Sequence, residues 1–477
     1  MHLLFKELLD KLSSQSTLFK DFFEESWNGM RVHEFVDEGL GHSSYVIDLG
    51  NDTAAVIDPP RFPIAHEQLA DREGLRIAWT VDTHSHADYV TGSPGLAARR
   101  RATFIAPAAS RLETPHRPVT DGDRVELAPG LVLVALATPG HTRDHHSYVL
   151  EESGTQAALF SGGSLMVGTV GRTDLCGPDL AEPLAHEMFR GLRRFDDLPA
   201  SLAVYPTHGA GSFCSAPGAS QRTSTIGHER ATNPLFSIGD EDRFVERLVA
   251  GFGTFPSYFA RLPELNRLGP TRYDSLPELA QLTTNDVQRH LESGAVIVDA
   301  RPAATFAVGH VPGSLSNTLR PVFASWLGWL VEPDRALIFV LGDDQDRDDL
   351  VRQCLDVGQE RLLGELHGGI TAWVAAGLPT ATLPMVDATH LVGPIVDVRQ
   401  ANEYATSHVP GALNIELGQV AHSTVPDGAL AVMCGHGERA MTGASILQAL
   451  GHHDLAVLAG GPDDWAAATG HALQVGS

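Results

Sequence analysis

The most informative stretch of this 477-residue chain is Thr83-His84-Ser85-His86-Ala87-Asp88-Tyr89-Val90-Thr91-Gly92. It follows the apolar run Leu75–Asp82, which is typical of a β-strand. Because side chains alternate along a strand, His84 and His86 are expected to point the same way. Imidazole and carboxylate groups are ligands for zinc and for non-haem iron. Together with Asp88, the two histidines therefore predict a metal site at the end of a strand.

Two further strands are predicted to end in histidine-containing loops. The first loop is Thr138-Pro-Gly-His141-Thr142 and the second is Thr207-His208-Gly209, and each follows an apolar run. A single His-x-His motif is weak evidence, because histidines at a strand end are often ordinary polar loop residues. Loops at one edge of a sheet converge in space, which is how α/β folds build their sites. Three such loops in one region favour a metal site over three unrelated turns.

Length and composition exclude several classes of protein. A chain of 477 residues with 43% hydrophobic and 19% charged residues predicts about three globular domains. The formal net charge of -25 argues against binding to nucleic acid or to an anionic membrane surface, because both need basic patches. No apolar run approaches the roughly 18 residues of a membrane span. Four cysteines without a Cys-x-x-Cys pair indicate a reducing cytoplasm rather than a disulfide framework.

Two more motifs complete a pattern with a family resemblance. They are Phe160-Ser-Gly-Gly163 and Gly171-Arg172-Thr173-Asp174. With the three histidine loops they resemble the metallo-β-lactamase fold and, more narrowly, the persulfide dioxygenases, whose fused forms carry rhodanese domains. The resemblance implies an αββα fold and a single Fe(II) held by two histidines and an aspartate, with open positions for O₂ and substrate.

The resemblance also implies roles for particular residues. His84 and His141 match the ligand histidines, and His86 beside them is a candidate third ligand. Arg172 is a candidate contact for an anionic thiol substrate. Cys214 lies shortly after the third histidine loop and is a candidate sulfur relay near the metal, with a buried structural thiol as the alternative.

Two positions depart from the family's pattern. Gly163 stands where the family has its ligand aspartate, and Tyr89 stands where a two-metal site has a histidine. Glycine offers no donor, so an Fe(II) site is expected to be weakened, and zinc or no metal are alternatives. His86 could substitute for the missing carboxylate, as could the acids Asp88, Asp144 and Asp174. Both departures argue against thioester hydrolysis of the glyoxalase II type, which needs both metals.

An internal repeat occupies the remaining chain. Val296-Ile-Val-Asp299-Ala-Arg301 recurs as Pro394-Ile-Val-Asp397-Val-Arg399, and Gly309-His-Val-Pro-Gly313 recurs at the same separation as Ser407-His-Val-Pro-Gly411. Two blocks that recur in the same order are unlike a chance match. Each unit of about 90 residues is long enough for a small domain of alternating strands and helices.

In the second copy of the repeat, a predicted strand over 430–433 ends at Cys434, which lies just before a predicted helix. Unpaired N–H groups and the helix dipole at such a position stabilise a thiolate or persulfide anion. Gly435 and Gly437 let the backbone curl around the sulfur, and Arg439 adds positive charge. The alternative is a buried structural cysteine.

This loop resembles that of the rhodanese sulfurtransferases, which implies that Cys434 carries sulfane sulfur. In the first copy of the repeat, Leu341 stands at the same place, beside several aspartates within 343–349. Leucine cannot act as a nucleophile, and the acids would repel a thiolate or sulfite. The first copy of the repeat is therefore expected to be an inactive scaffold.

The sequence thus predicts a multidomain α/β protein with an αββα metallo-β-lactamase fold and two α/β rhodanese-like domains. The expected division is a helical extension, a metallo-β-lactamase-like domain, a helical connector, an inactive rhodanese-like domain and an active one, over residues 1–29, 30–240, 241–285, 286–382 and 383–477.

The expected function is sulfur metabolism: persulfide dioxygenase fused to thiosulfate or persulfide sulfurtransferase. One alternative is a sulfurtransferase whose metal domain only binds persulfide, and another is a metal-dependent hydrolase. Expected partners are a small-molecule thiol persulfide, thiosulfate or sulfite, and a second copy of the chain in a homo-oligomer, without nucleic acid or membrane. The identity of the physiological thiol stays open.

Overall fold

The structure is a computed structural model that describes residues 24–27, 30–214 and 221–476. It divides into two compact units, one reaching to Phe252 and including Tyr258–Tyr273, the other formed by Gly253–Ser257 and the chain from Asp274 onward. Most of the predicted helical extension over residues 1–29 lies outside the described residues. Its last part was predicted wrongly, because Glu24–Trp27 is a strand paired with the next one. None of the described helices is both long and apolar enough to cross a membrane.

The first unit is built on two β-sheets. Their strands are β1 Glu24–Trp27, β2 Met30–Asp37, β3 His42–Asp48, β4 Thr53–Ile57, β5 Arg76–Val81, β6 Thr103–Pro107, β7 Arg117–Val119, β8 Arg124–Ala128, β9 Leu131–Ala137, β10 His146–Glu152, β11 Thr155–Gly162, β12 Leu165–Met166, β13 Thr169–Val170, β14 Ala203–Pro206 and β15 Ser224–Thr225. The first sheet runs from β1 to β7 in chain order, antiparallel as far as β4 and parallel beyond it. The second has the order β15-β14-β11-β10-β9-β8, with only β11 and β14 parallel. Strands β12 and β13 form a separate hairpin.

Helices cover the outer faces of both sheets. The helices of this unit are α1 Ile64–Glu73, α2 Ser93–Arg100, α3 Ala181–Arg193, α4 Ile226–Thr232, α5 Glu241–Ala250 and α6 Leu262–Leu268. Tyr45 of the first sheet and Phe160 of the second share one core between the sheets. Leu69 of α1 packs on the outer face of the first sheet, and Met188 of α3 on that of the second. This four-layer arrangement confirms the predicted αββα fold.

The local sequence explains these elements. Strand β9 alternates fully buried with partly exposed side chains, as expected for a strand with one face on the core. Helix α3 buries one stripe, with Leu184, Met188 and Leu192 at spacings of four. Helix α5 begins at Asp240, whose carboxylate accepts a hydrogen bond from the N–H of Arg243 at 2.9 Å.

The second unit contains two parallel five-stranded sheets. Their elements are β16 Gln281–Leu282, α7 Thr284–Glu292, β17 Val296–Asp299, α8 Ala303–Val308, β18 Leu315–Ser316, α9 Phe323–Leu330, β19 Leu337–Val340, α10 Arg347–Asp356, β20 Leu362–Leu366, α11 Gly369–Ala375, β21 Met385–Val386, β22 Ile395–Asp397, α12 Ala401–Thr406, β23 Leu413–Asn414, β24 Leu430–Met433, α13 Glu438–Ala449, β25 Leu455–Leu458 and α14 Pro462–Thr469. The strand orders are β16-β20-β19-β17-β18 and β21-β25-β24-β22-β23. The same order in both sheets shows that the sequence repeat is a repeat of structure.

The two repeated domains contact each other through helix α13. The N–H of Ser316 donates to Oγ of Ser445 at 3.0 Å, and Nε2 of His310 lies 2.8 Å from Oε1 of Gln448. Arg320 of the first domain pairs with Glu438 at 3.1 Å, four residues after Cys434. The first domain therefore supports the helix that follows the cysteine loop of the second.

Candidate metal centre and cysteine loop

The ends of β5, β9 and β14 bring four histidine rings together. The ring centroid of His84 lies 4.3 Å from that of His86, 5.0 Å from that of His141 and 5.5 Å from that of His208. All four side chains are buried. The convergence expected for the three histidine loops is therefore what the fold produces, and the cluster includes His208 as well as the three predicted ligands.

Three of these imidazoles are anchored through one ring nitrogen. His84 Nδ1 lies 2.8 Å from Oγ1 of Thr83, and His141 Nδ1 lies 2.9 Å from the carbonyl oxygen of Arg172. His86 Nε2 lies 3.2 Å from Oδ1 of Asp58. Metal-binding histidines are typically held by such contacts from the nitrogen that does not bind the metal.

The other ring nitrogens face the cluster. Within the described residues, His86 Nδ1 and His141 Nε2 are buried without a hydrogen-bond partner. The Nε2 atoms of His84 and His208 lie 3.5 Å apart. Two nitrogens that each lie about 2.1 Å from one tetrahedral metal ion stand about 3.4 Å apart. The donor set therefore fits a metal ion, although it does not identify which one.

Burial keeps two of these rings, those of His84 and His141, in the form that binds metals. It lowers the pKa of His84 well below its usual value, and it lowers that of His141 to about 3, with a smaller contribution from the neighbouring His208. Neutral imidazole has the lone pair that a metal requires.

Asp58 is a site residue that the sequence analysis missed. It ends β4 with a left-handed backbone, φ 48°, and is completely buried. Its carboxylate accepts hydrogen bonds from the N–H and Oγ1 of Thr83, both at 2.7 Å, and from Oγ1 of Thr207. Burial raises its pKa, but His86 and these hydrogen bonds outweigh that and lower it to about 2. The acid thus ties the loop after β5 to the loop after β14.

The helical connector also supports the metal loop, which the sequence analysis did not predict in detail. Nδ2 of Asn266 in α6 donates to the carbonyl oxygens of His86 and Tyr89 at 2.9 and 3.0 Å. Its Oδ1 accepts from the N–H of Thr91 at 3.0 Å, and the hydroxyl of Tyr258 donates to the carbonyl oxygen of Asp88 at 3.1 Å. The available signal was a polar residue, Asn266, within the predicted helical connector.

Gly163 leaves space that the ring of His141 fills. A Cβ at Gly163 would lie 2.2 Å from Cδ2 of His141, and one at Gly171 would lie 2.7 Å from its Nδ1. The N–H of Gly163 donates to Nε2 of His145 at 2.9 Å. An aspartate at position 163 would therefore require the His141 ring to move. The observed position of the ring thus depends on the absence of a side chain at position 163.

Two of the acids considered as replacement ligands are engaged elsewhere. Asp144 accepts from the N–H and Oγ of Ser85 at 2.9 and 2.7 Å, and from Oγ of Ser110 at 2.5 Å. Asp174 pairs with Arg172. Asp88 differs from both, because it is buried in the cluster and its Oδ2 lies 3.3 Å from Nδ1 of His208.

Arg172 lies beneath the cluster and is buried. Its guanidinium donates to both carboxylate oxygens of Asp174, at 2.6 and 2.7 Å, and to the carbonyl oxygen of Phe213 at 3.0 Å. It also lies 5.3 Å from the ring centroid of Phe252. The side chain thus holds two segments in place, and its contact with a substrate stays a prediction.

The second candidate site is the loop after β24. The Cys434 side chain is buried, and its Sγ accepts a hydrogen bond from the N–H of Gly437 at 3.1 Å. Gly437 adopts φ 91° directly before α13, a backbone conformation that favours glycine. Arg439 donates to both oxygens of Glu403, at 2.6 and 2.8 Å. Gly435 is close enough for a Cβ there to lie 3.8 Å from Nη2 of Arg439.

Comparisons with known proteins identify the domain families of both units. The metallo-beta-lactamase superfamily model matches residues 37–208, and the rhodanese-like domain model matches residues 283–376 and 381–468. The mitochondrial persulfide dioxygenase ETHE1 of Homo sapiens is 30% identical over 195 residues, covering 40% of this chain and 68% of the relative. The chain belongs to the metallo-β-lactamase superfamily, and two rhodanese-like domains follow its metallo-β-lactamase domain.

Relatives with a different activity are equally similar. A hydroxyacylglutathione hydrolase of Methylobacillus flagellatus is 33% identical over 158 residues, which cover 32% of this chain but only 57% of the hydrolase. The crystal structure of a metallo-beta-lactamase from Staphylococcus aureus matches this chain with a TM-score of 0.63 and 27% identity. The match covers 71% of this chain and 99% of the Staphylococcus aureus chain, so the similarity extends beyond the first unit. The family is thus established, but the reaction that this protein catalyses is not.

Proposed function

We propose that this protein is a sulfur-metabolism enzyme that oxidises a low-molecular-weight persulfide in its first unit and transfers sulfane sulfur at Cys434. The observation that carries the proposal is the combination, in one chain, of the inward-facing histidine cluster with a cysteine cradled at a helix N-terminus. The persulfide dioxygenase relatives support the first activity, and the rhodanese-like domains support the second.

In the first unit, His84, His86, His141 and His208 would hold the metal. A bound iron would supply the redox chemistry by which persulfide, O₂ and water give thiol, sulfite and two protons. Asp58 and the carbonyl oxygen of Arg172 hold the outer nitrogens of His86 and His141, so the inner nitrogens stay directed at the cluster. Burial of the rings excludes bulk water from the donor atoms.

In the second unit, the Cys434 thiolate attacks the outer sulfur of thiosulfate. The new S–S bond forms as the old one breaks, and sulfite leaves with the electron pair of the broken bond. The product is a Cys434 persulfide that a thiol acceptor can take up. The N–H of Gly437, at 3.1 Å from the sulfur, and the dipole of α13 stabilise the negative charge on sulfur.

Two alternatives compete with the dioxygenase activity. Gly163 favours a metal domain that only binds persulfide, because it removes the family's anionic ligand. The hydrolase relatives favour thioester cleavage. Against hydrolysis, Tyr89 stands where a second metal needs a histidine, and its buried ring stacks on His86 with centroids 4.5 Å apart. Its hydroxyl donates to the carbonyl oxygen of Asp58 at 3.2 Å.

The test is iron content and O₂ uptake with glutathione persulfide, using full-length protein purified without added metal. We expect about one iron per chain and persulfide-dependent O₂ uptake, both lost in His141→Ala. His228→Ala is the matched control, because His228 is exposed on α4 and should leave both values unchanged.

Iron-loaded protein that consumes no O₂ with persulfide would instead support the binding-module alternative. Metal-dependent cleavage of a glutathione thioester would support the hydrolase.

The proposed setting is a reducing cytoplasm, in which Cys434 stays available as a thiol. All four cysteines are free in the structure, and Cys176 is exposed. The proposal includes assembly with a second copy of the chain. Light scattering of the purified protein distinguishes a homo-oligomer from a monomer.

A further inference from the structure

The histidine cluster lacks an anion at the place where the family has one. Gly163 has no side chain, and the four rings that face the centre are imidazoles. A divalent cation bound only by neutral ligands would keep its full charge in a buried site, which is costly. A metal ion in the cluster therefore requires a negative group that reaches the centre from another position.

Cys214 can supply such a group as a thiolate once a metal displaces its proton. Its side chain is fully buried, and it follows His208 on the loop after β14. One potential ligand atom from each of His141, His208 and Cys214 lies within 4.8 Å of the other two. Histidine nitrogen combined with cysteine sulfur is a common donor set for zinc and for other first-row metals.

One residue holds both the thiol and an imidazole in place. The N–H of Arg172 donates to the carbonyl oxygen of Cys214 at 3.1 Å, and the carbonyl oxygen of Arg172 lies 2.9 Å from Nδ1 of His141. The guanidinium of Arg172 also holds the carbonyl oxygen of Phe213. The N–H of Cys214 donates to Oγ of Ser212 at 3.1 Å. The thiol is thus fixed relative to His141 by a short, continuous set of hydrogen bonds.

A second observation points independently to a cation at this place. Both carboxylate oxygens of Asp88 and Nε2 of His141 are buried, and the described part of the chain offers them no hydrogen bond. Asp88 is 1% exposed, and its Oδ2 lies 3.3 Å from Nδ1 of His208. Leaving buried polar groups unpaired is costly, and more so for a charged group. A metal ion within the cluster would satisfy them.

We propose that Cys214 binds the metal through Sγ and supplies the negative charge that Gly163 cannot, beside His141 and His208. Binding releases the thiol proton to solvent, because the thiolate is the ligand form. Asp88 then faces the metal or orients His208 towards it. The proposal rests on the proposed function only in requiring a metal at the cluster.

This assignment replaces the role in which Cys214 carries sulfur. A thiolate bound to the metal shares a lone pair with it and is a weaker nucleophile towards a persulfide, which leaves Cys434 as the proposed sulfur carrier. It also explains why position 163 is a glycine. The ring of His141 occupies the place of a Cβ there, and the negatively charged ligand comes from the loop after β14 instead.

The test is the electronic spectrum of full-length protein loaded with Co²⁺. Sulfur bound to Co²⁺ gives an intense near-ultraviolet charge-transfer band that imidazole and carboxylate do not give. We expect the band in the parent protein, its complete loss in Cys214→Ser, and its retention in Cys354→Ser. Cys354 is the matched control, because it is also a fully buried thiol and belongs to the other unit.

A further variant keeps the test independent of folding and of activity. Cys214→Asp should bind Co²⁺ at the same stoichiometry without the band, because a carboxylate restores the charge but not the sulfur. Bound Co²⁺ without the band in the parent protein, or with the band still present in Cys214→Ser, overturns the inference and leaves the proposed function intact. Failure of the parent protein to bind either Co²⁺ or iron overturns both.

Discussion

The two rhodanese-like domains are alike where their sequences repeat. In the first domain Arg301 donates to Asp299 at 2.6 Å and to the carbonyl oxygen of Gly309 at 2.9 Å. In the second, Arg399 donates to Asp397 at 2.7 Å and to the carbonyl oxygen of Ser407 at 2.7 Å. Each arginine therefore ties the end of a strand to the loop that follows the next helix. The shared Asp-x-Arg motif is structural in both domains.

The shared histidines have the same character. The ring of His310 stacks on Phe306 at 3.7 Å between centroids, and that of His408 stacks on Tyr404 at 3.8 Å. Nδ1 of each lies 2.9 or 3.0 Å from the carbonyl oxygen of the residue it stacks on. What the repeat preserves is thus the packing of the domain and not its chemistry.

The domains differ at the loop after the central strand. In the first domain Gln345 accepts from the N–H of Gly342 at 2.8 Å and donates to the carbonyl oxygen of Ala300 at 2.7 Å. Nη1 of Arg347 donates to the carbonyl oxygen of Gly342 at 2.7 Å. Side chains of the loop itself thus occupy the backbone N–H and carbonyl groups of Gly342, the residue after Leu341. The difference teaches that the two loops differ by more than the missing cysteine.

The largest expected effect is that of Cys434→Ser on thiosulfate sulfurtransfer. Removing the nucleophile should lower kcat by on the order of 10³-fold or more, because serine forms no persulfide. Cyanide-dependent formation of thiocyanate measures the activity. Cys176→Ser is the control, since Cys176 is exposed and belongs to the other unit. Persistence of sulfurtransfer in Cys434→Ser would move the sulfur carrier elsewhere.

A cysteine in the first domain's loop sharpens the comparison. Leu341→Cys, made in the Cys434→Ser background, should restore no sulfurtransfer, because Gln345 and Arg347 still fill the loop and aspartates surround it. The same assay measures the outcome. Activity near that of the parent protein would show that the sulfur atom was the only element missing, and the role assigned to the loop side chains would be wrong.

Much of both sites could be predicted from local sequence. The histidine loops and the cysteine loop follow apolar strands, so strand periodicity and strand-end convergence place them without any long-range information. The αββα fold was implied by the family resemblance that the same motifs carry. In contrast, residues 24–27 pair with β2 as a strand, and that pairing outweighs the helical pattern of the preceding residues.

The remaining features depend on contacts between residues distant in the chain. Asp58 meets Thr207 and His86, and Asn266 meets the loop after β5 from a helix about 180 residues away. No local motif encodes such pairs. The meaning of Gly163 was equally hidden, because the clash that a Cβ would cause depends on where the ring of His141 packs.

The smallest effect expected concerns an ion pair present only in the second domain. Arg439 and Glu403 form two hydrogen bonds, whereas Thr305 takes the corresponding position in α8 of the first domain. Burial raises the pKa of Glu403, but Arg439 outweighs it, so the net pKa lies below the usual 4.5. A lowered pKa means that the pair stabilises the fold above about pH 4.5 and loses this contribution as the pH falls further.

Glu403→Gln should therefore lower the free energy of unfolding by about 0.5–1 kcal/mol at pH 7, since the pair is partly exposed, and by less near pH 4. Urea unfolding monitored by circular dichroism at the two pH values measures the difference. Thr305→Val in the first domain is the control and should show no such change with pH, because it removes no charge. An equal loss of stability at both pH values for Glu403→Gln would mean that packing, rather than the ion pair with Arg439, distinguishes the second domain at this position.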